Sequence, residues 1–132
     1  MRTALLVLGL MAAACASGGS PADDGTGPAP EGCADVVGAE LTVRDDGTHD
    51  VAATIRSSDT GWDKYADAFE VVAPDGTVLG TRELLHPHVD EQPFTRSLSG
   101  IRVPEEVERV TVRARDSVVG FCGEVVERDV PR

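Results

Sequence analysis

From about residue 33 onward, apolar positions do not recur at the 3.6-residue spacing of a helix. Instead, short runs rich in Val, Ala and Thr alternate with clusters of Gly, Pro and Asp. The spacing predicts strands over Val36–Val43, His49–Ser57, Ala68–Ala73, Thr77–Leu85, Phe94–Val103, Val107–Arg115 and Phe121–Val130. The clearest alternation sets Val110, Val112 and Ala114 inward against Thr111, Arg113 and Arg115 outward. Asp46-Gly47 and Asp75-Gly76 supply turns, and Ala73-Pro74-Asp75-Gly76-Thr77 between two strand patterns reads as a hairpin.

About seven short strands with closely spaced turn signals predict an all-β domain, an antiparallel two-sheet sandwich. The stretch Leu98–Val112, with a proline-marked corner at Pro104 and a returning strand of alternating valines, resembles part of an immunoglobulin or fibronectin-III-like domain. The resemblance concerns architecture and implies no chemistry, because sandwiches host many unrelated functions. The tryptophan and disulfide spacing of antibody domains is absent.

The first 14 residues follow a different pattern. Arg2 precedes an apolar run from Ala4 to Ala14, which ends at Cys15. A basic start, a brief hydrophobic middle and small residues before a cut are the plan of a secretory signal. The run is roughly half the ~20 residues a membrane-spanning helix needs. Met11-Ala12-Ala13-Ala14-Cys15 resembles the bacterial lipobox, with Ala12 where that family usually carries Leu. The resemblance implies cleavage before Cys15 and two or three acyl chains, palmitate among them, on the mature amino terminus. An ordinary secretory signal cut near Ala14 or Ser17, leaving Cys15 incidental, is the other reading. Residues 16–32, rich in Gly, Ser, Pro and acids and without a bulky apolar side chain, lack the burial that would offset ordering entropy. The expected organisation is a signal peptide (1–14), a lipidated amino terminus with a disordered tether (15–32) and a β-sandwich domain (33–132).

The net charge of −11 becomes −12 once Arg2 is removed, which argues against nucleic acid and against electrostatic adhesion to anionic lipid. One lysine against eleven arginines, and no asparagine, suggests a GC-rich bacterial genome. With Cys15 assigned to lipid, Cys33 and Cys122 remain at the two ends of the folded region. An exported protein reaches a compartment that permits disulfides, and a bridge is the favoured expectation, with two free or intermolecular thiols or a metal pair as the other readings. In a Gram-negative cell, Ala16 after the lipidated cysteine lacks the Asp that resembles an inner-membrane retention signal, which favours the outer membrane.

Two segments carry candidate chemistry. Gly61–Asp67 holds the only Trp, Tyr and Lys of the chain. Trp62, Asp63 and Tyr65 are candidate binding residues, since loop aromatics serve as rigid anchors. With five aromatics in all, the core has need of them, and packing over one end of the sandwich is the favoured expectation. In Leu84–Phe94, Pro87 holds the chain extended and sets His86 and His88 on one side. With Glu91 or Asp90 they could offer three ligands to zinc or copper, and His49 on another strand could approach. A His-x-His pair alone is a weak signal, and hydrogen bonding within a long turn is the favoured alternative; no cofactor is otherwise expected. Ser97, Ser117 and Asp116 sit in no nucleophile elbow, so an enzyme is not expected.

The Trp62–Asp67, His86–Arg96 and Val112–Gly123 stretches resemble a group of small exported bacterial proteins with Trp-Asp, His-Pro-His and Ala-x-Asp-Ser-Val motifs. Members of that group often carry a further histidine where this chain has Val119, and the group names no activity. The leading functional expectation is a non-enzymatic envelope lipoprotein that binds a protein or glycan at one end of its sandwich. Trp62, Asp63, Tyr65, His86, His88, Glu91 and Asp116 are the candidate contacts. A periplasmic metal-binding protein using His86, His88 and Glu91 is the alternative, and a hydrolase the third.

Overall fold

A computed structural model describes residues 32–132. The expectations for the signal segment, Cys15 and the tether up to residue 31 lie outside the described residues. Seven strands form: β1 (Asp35–Val43), β2 (His49–Arg56), β3 (Ala66–Val72), β4 (Val78–Glu83), β5 (Phe94–Ile101), β6 (Arg109–Asp116) and β7 (Val126–Asp129). Every neighbouring pair is antiparallel, in a three-stranded sheet ordered β1-β2-β5 and a four-stranded sheet ordered β4-β3-β6-β7. Among the described residues there is no helix, and so none able to cross a membrane. An immunoglobulin constant domain places its fourth strand with the first, second and fifth. Here β4 pairs with β3 instead.

Alternation of side chains builds the core. Val51, Ala53 and Ile55 of β2 face Val110, Val112 and Ala114 of β6 across the layer, with Phe69 and Val71 of β3 and Phe94 of β5. The outer face of the four-stranded sheet is held by charge. Arg113 donates to its register partner Glu70 at 2.7 and 2.9 Å, and Arg115 to Asp67 at 2.8 Å. The β4 backbone passes so close to β5 that a Cβ on Gly80 would lie 2.9 Å from Leu98.

The expected last strand, Phe121–Val130, contracts to Val126–Asp129. Residues before it are committed to the start of the domain. Cys122 bridges to Cys33 with Cα atoms 5.4 Å apart, the Glu124 amide donates to the Asp35 carboxylate at 2.8 Å, and the Val36 amide donates to the Glu124 carbonyl at 2.9 Å. Gly123 fits there because it has no side chain. A Cβ would lie 2.0 Å from the Ala34 carbonyl oxygen.

The register fixes two unlike ends. Asp35 pairs with Arg56 and Ile55 with Phe94, while Ala68 pairs with Glu83, Ala66 with Asp116 and Val112 with Val126. The Val36–Glu124 bond joins the two sheets at the same end. That end, the loop end, gathers the connections 57–65, 84–93 and 117–125 together with Gly32, where the described chain begins. The turn end holds the connections 44–48, 73–77 and 102–108 and the carboxyl terminus.

Candidate functional site

The loop end is built on buried polar groups, and Asp59 is the first of them. It follows β2 directly and is buried. Its Oδ1 accepts from the Ser57 hydroxyl at 2.7 Å and the Ala66 amide at 2.9 Å, and its Oδ2 accepts from the His88 amide at 2.8 Å. One carboxylate thus ties the end of β2, the start of β3 and the loop before β5. Gln92 closes the same circuit. Its carbonyl oxygen accepts from the Ser57 amide at 2.9 Å, and its amide donates to the His88 carbonyl at 2.8 Å.

His88 sits inside this frame. Its ring stacks on Phe94 with centroids 3.8 Å apart and planes within 9°, and the exposed His86 ring lies 4.5 Å away at 40°. Arg96 places Nη2 at 3.0 Å from His88 Nε2. Guanidinium can only donate, so Nε2 accepts and the neutral ring carries its proton on Nδ1. Nδ1 is buried and lies 4.0 Å from Asp59 Oδ2, too far for a hydrogen bond. Burial depresses the His88 pKa below its ordinary value, and Arg96 and His86 push in the same direction against Glu91 and Asp59. The carboxylate at 4.0 Å would by itself raise it, but burial and the contacting guanidinium outweigh it.

The three expected metal ligands have different surroundings. The Nε2 lone pair of His88 faces a cation, the exposed Glu91 is turned toward Arg96 at 3.4 Å, and His86 is open to solvent. Among the described residues no group of three or more His, Cys, Asp or Glu side chains is placed to hold a metal ion. His49 belongs to the other end, where its Nε2 bonds the Pro131 carbonyl at 2.7 Å.

The second cluster surrounds Asp116, buried at the end of β6. Its Oδ2 accepts from Lys64, whose ammonium also donates to the Gly32 carbonyl at 2.6 Å. Its Oδ1 accepts from the amides of Val118 and Val119 at 2.9 and 3.1 Å. Burial works to raise the Asp116 pKa, but Lys64 and the two amides together hold it below the ordinary carboxylate range. Ser117 pairs with Tyr65 in both directions, its hydroxyl accepting from the Tyr65 amide at 3.1 Å and its amide donating to the Tyr65 carbonyl at 2.8 Å.

Trp62 does not pack over the sandwich. It is 68% exposed and touches Tyr65 edge-on at 5.8 Å, and the core closes with Phe69 and Phe94 in its place. The candidate residues therefore form two clusters at one end. Trp62, Tyr65 and Asp116 lie in one, with exposed Asp63 on the same loop; His86, His88 and Glu91 lie in the other; Asp59 links the two loops. Sequence reasoning missed Asp59, Gln92, Arg96 and the role of Lys64. Ser57-x-Asp59 after a strand is a turn-type signal, yet nothing local pairs it with His88.

The loop end is also where apolar surface reaches solvent. Of nine exposed large apolar residues among those described, seven lie on its three loops, with Leu85, Trp62 and Val118 the most exposed.

The chain is similar to a protein of Halomicrobium mukohataei named "Putative lipoprotein", at 42% identity over 78 residues. Those residues are 59% of this chain and 38% of that protein, so the chain matches well under half of its relative's length. No family model and no solved structure matches the chain.

Proposed function

We propose that this chain is an exported lipoprotein, held in the cell envelope through lipid on Cys15, whose sandwich works by contact rather than by catalysis. The observation that carries the reading is the pairing of cysteines. The Cys33–Cys122 bridge uses two of three, leaving Cys15 alone at the end of the Met11–Cys15 motif. A disulfide also fits an oxidising compartment outside the cytoplasm. The similarity to a protein carrying a lipoprotein name supports the same reading.

Contact rather than catalysis is supported by how the reactive groups are used. The lone pair on His88 Nε2 accepts from Arg96, the Ser117 hydroxyl accepts from a backbone amide, and Lys64 and Asp116 satisfy each other. Such groups hold loops in place. The exposed loop tips they support are the contact surface.

Intact-mass analysis of the mature protein from membranes tests the anchor. The expected species begins at Cys15 and carries acyl chains, and Cys15→Ser moves the protein into the soluble fraction. A mature chain beginning elsewhere, or a Cys15→Ser protein still retained by membranes, contradicts the proposal.

A further inference from the structure

We infer that the loop end of the sandwich docks on the lipid surface that holds the anchor, with Trp62, Leu85, Val89, Val118 and Val119 entering the interfacial layer. The inference rests on the proposed lipid attachment at Cys15 and names the partner of the contact surface.

Three observations carry it. First, the chain reaches the domain at this end: Lys64 bonds the Gly32 carbonyl at 2.6 Å beside the Cys33–Cys122 bridge. Residues 16–32 number 17, and a chain of that length reaches ~60 Å at most. The loop end is thus the part of the domain that a lipid on Cys15 holds nearest the bilayer. A short tether gives an effective concentration on the order of millimolar, so weak contacts suffice.

Second, exposed apolar residues are concentrated here, seven of nine, on three separate loops. They include the only tryptophan, set edge-on against the only tyrosine, a residue pair suited to the boundary between headgroups and acyl chains. Third, these tips are carried on fixed bases. Asp59 and Asp116 hold the three loops through buried and part-buried hydrogen bonds, so presenting apolar tips costs little further ordering. Exposed Asp63, Asp90 and Glu91 on the same loops disfavour an anionic surface. The matching surface is a neutral, zwitterionic one.

Trp62 is the single tryptophan and reports directly. The full lipidated chain is reconstituted into phosphatidylcholine vesicles, with and without brominated acyl chains, and compared with the Cys15→Ser chain in solution. Flotation with vesicles reads the anchor, and Trp62 emission reads docking. The expected result is flotation, a blue-shifted emission quenched by brominated lipid, and a severalfold loss of quenching by aqueous iodide. A Leu85→Ser/Val118→Ser/Val119→Ser variant, its fold checked by circular dichroism, is expected to float equally while losing most of the lipid quenching. Flotation with Trp62 still open to iodide overturns docking, keeps the anchor, and leaves the loop tips to a soluble partner. Absence of flotation overturns both, and unchanged lipid quenching in the triple variant overturns the assignment to these tips.

Discussion

The two ends of the sandwich are made by different means. At the turn end, Arg44–Thr48 and Ala73–Thr77 repeat one design. The Arg44 and Ala73 amides donate to the Thr48 and Thr77 carbonyls at 2.7 and 2.8 Å. The Asp46 and Asp75 carboxylates take the Thr48 and Thr77 amides at 3.0 and 2.9 Å, and Gly47 and Gly76 adopt φ of 82° and 90°. Both aspartates have lowered pKa values, owing first to hydrogen bonds from those threonines. Each turn is complete within five residues. At the loop end the governing bonds span long stretches: Asp59 to His88 across 29 residues, Ser57 to Gln92 across 35, and Lys64 to Asp116 across 52. Local bonds return the chain sharply, while distant ones hold long loops in a fixed arrangement and leave their tips exposed.

The sharpest way to break this asymmetry is to open the bridge at the loop end. Closing a loop of 89 residues contributes ~4–5 kcal/mol in the chain-entropy model. Reduction is therefore expected to lower the melting temperature of this roughly hundred-residue domain by more than ~10 °C. Calorimetry with and without reductant checks it, and unchanged melting excludes a bridge in the folded protein.

Removing the Asp59 carboxylate comes next. Asp59→Ala strands three donors, each costing ~1–3 kcal/mol when buried and unpaired, and a loss of ~3–4 kcal/mol is expected after water partly replaces it. Hydrogen exchange is expected to quicken at both 57–65 and 84–93, because one side chain serves both. Acceleration confined to 57–65 would refute the linkage.

The turn end gives smaller and matched effects. Gly47→Ala and Gly76→Ala each force a side chain into the left-handed region, at ~1–2 kcal/mol, with open space around both sites. Denaturant melts are expected to show nearly equal losses that add in the double variant. A much larger loss at one turn contradicts the shared design.

The smallest effect is acid sensitivity, which above pH ~4 is set by His88 at the loop end. His88 has its folded pKa below the unfolded value, so between the two the unfolded chain binds more protons and stability rises with pH. Its contribution is intact above ~6.5 and declines as pH falls from there, at up to ~1.4 kcal/mol per pH unit. Asp116, also depressed, adds a further loss once pH drops below ~4. His88→Gln is expected to flatten the dependence between pH 6.5 and 5, measured by urea melts, and an unchanged slope would assign it elsewhere.

The same contrast explains what could be read from the sequence. Each of the seven strands was foreshadowed by a short β-rich run between turn signals, and the Val110–Val112–Ala114 face lies inward as expected. Asp46-Gly47 and Asp75-Gly76 were legible because residues adjacent in sequence make the whole turn. The Cys33–Cys122 pairing followed from counting cysteines. Trp62 was misplaced because scarcity of aromatics suggested a packing role, whereas a core of Val, Ile and Ala side chains around Phe69 and Phe94 closes without it. The His86–His88 pair was noticed, but Arg96, which donates to His88 Nε2, lies on β5 and is not marked by any motif. Asp59, the group that unites the loops, is one aspartate among many until the fold brings His88 to it.

Which end faces the membrane is the central claim, and hydrogen–deuterium exchange on the lipidated chain in phosphatidylcholine vesicles tests it without altering a residue of the domain. Relative to Cys15→Ser in solution, exchange is expected to slow at the tips of 57–65, 84–93 and 117–125 and to stay unchanged at 44–48 and 73–77. Protection at the turns instead, or equal exchange at both ends, would contradict a loop end set down on lipid.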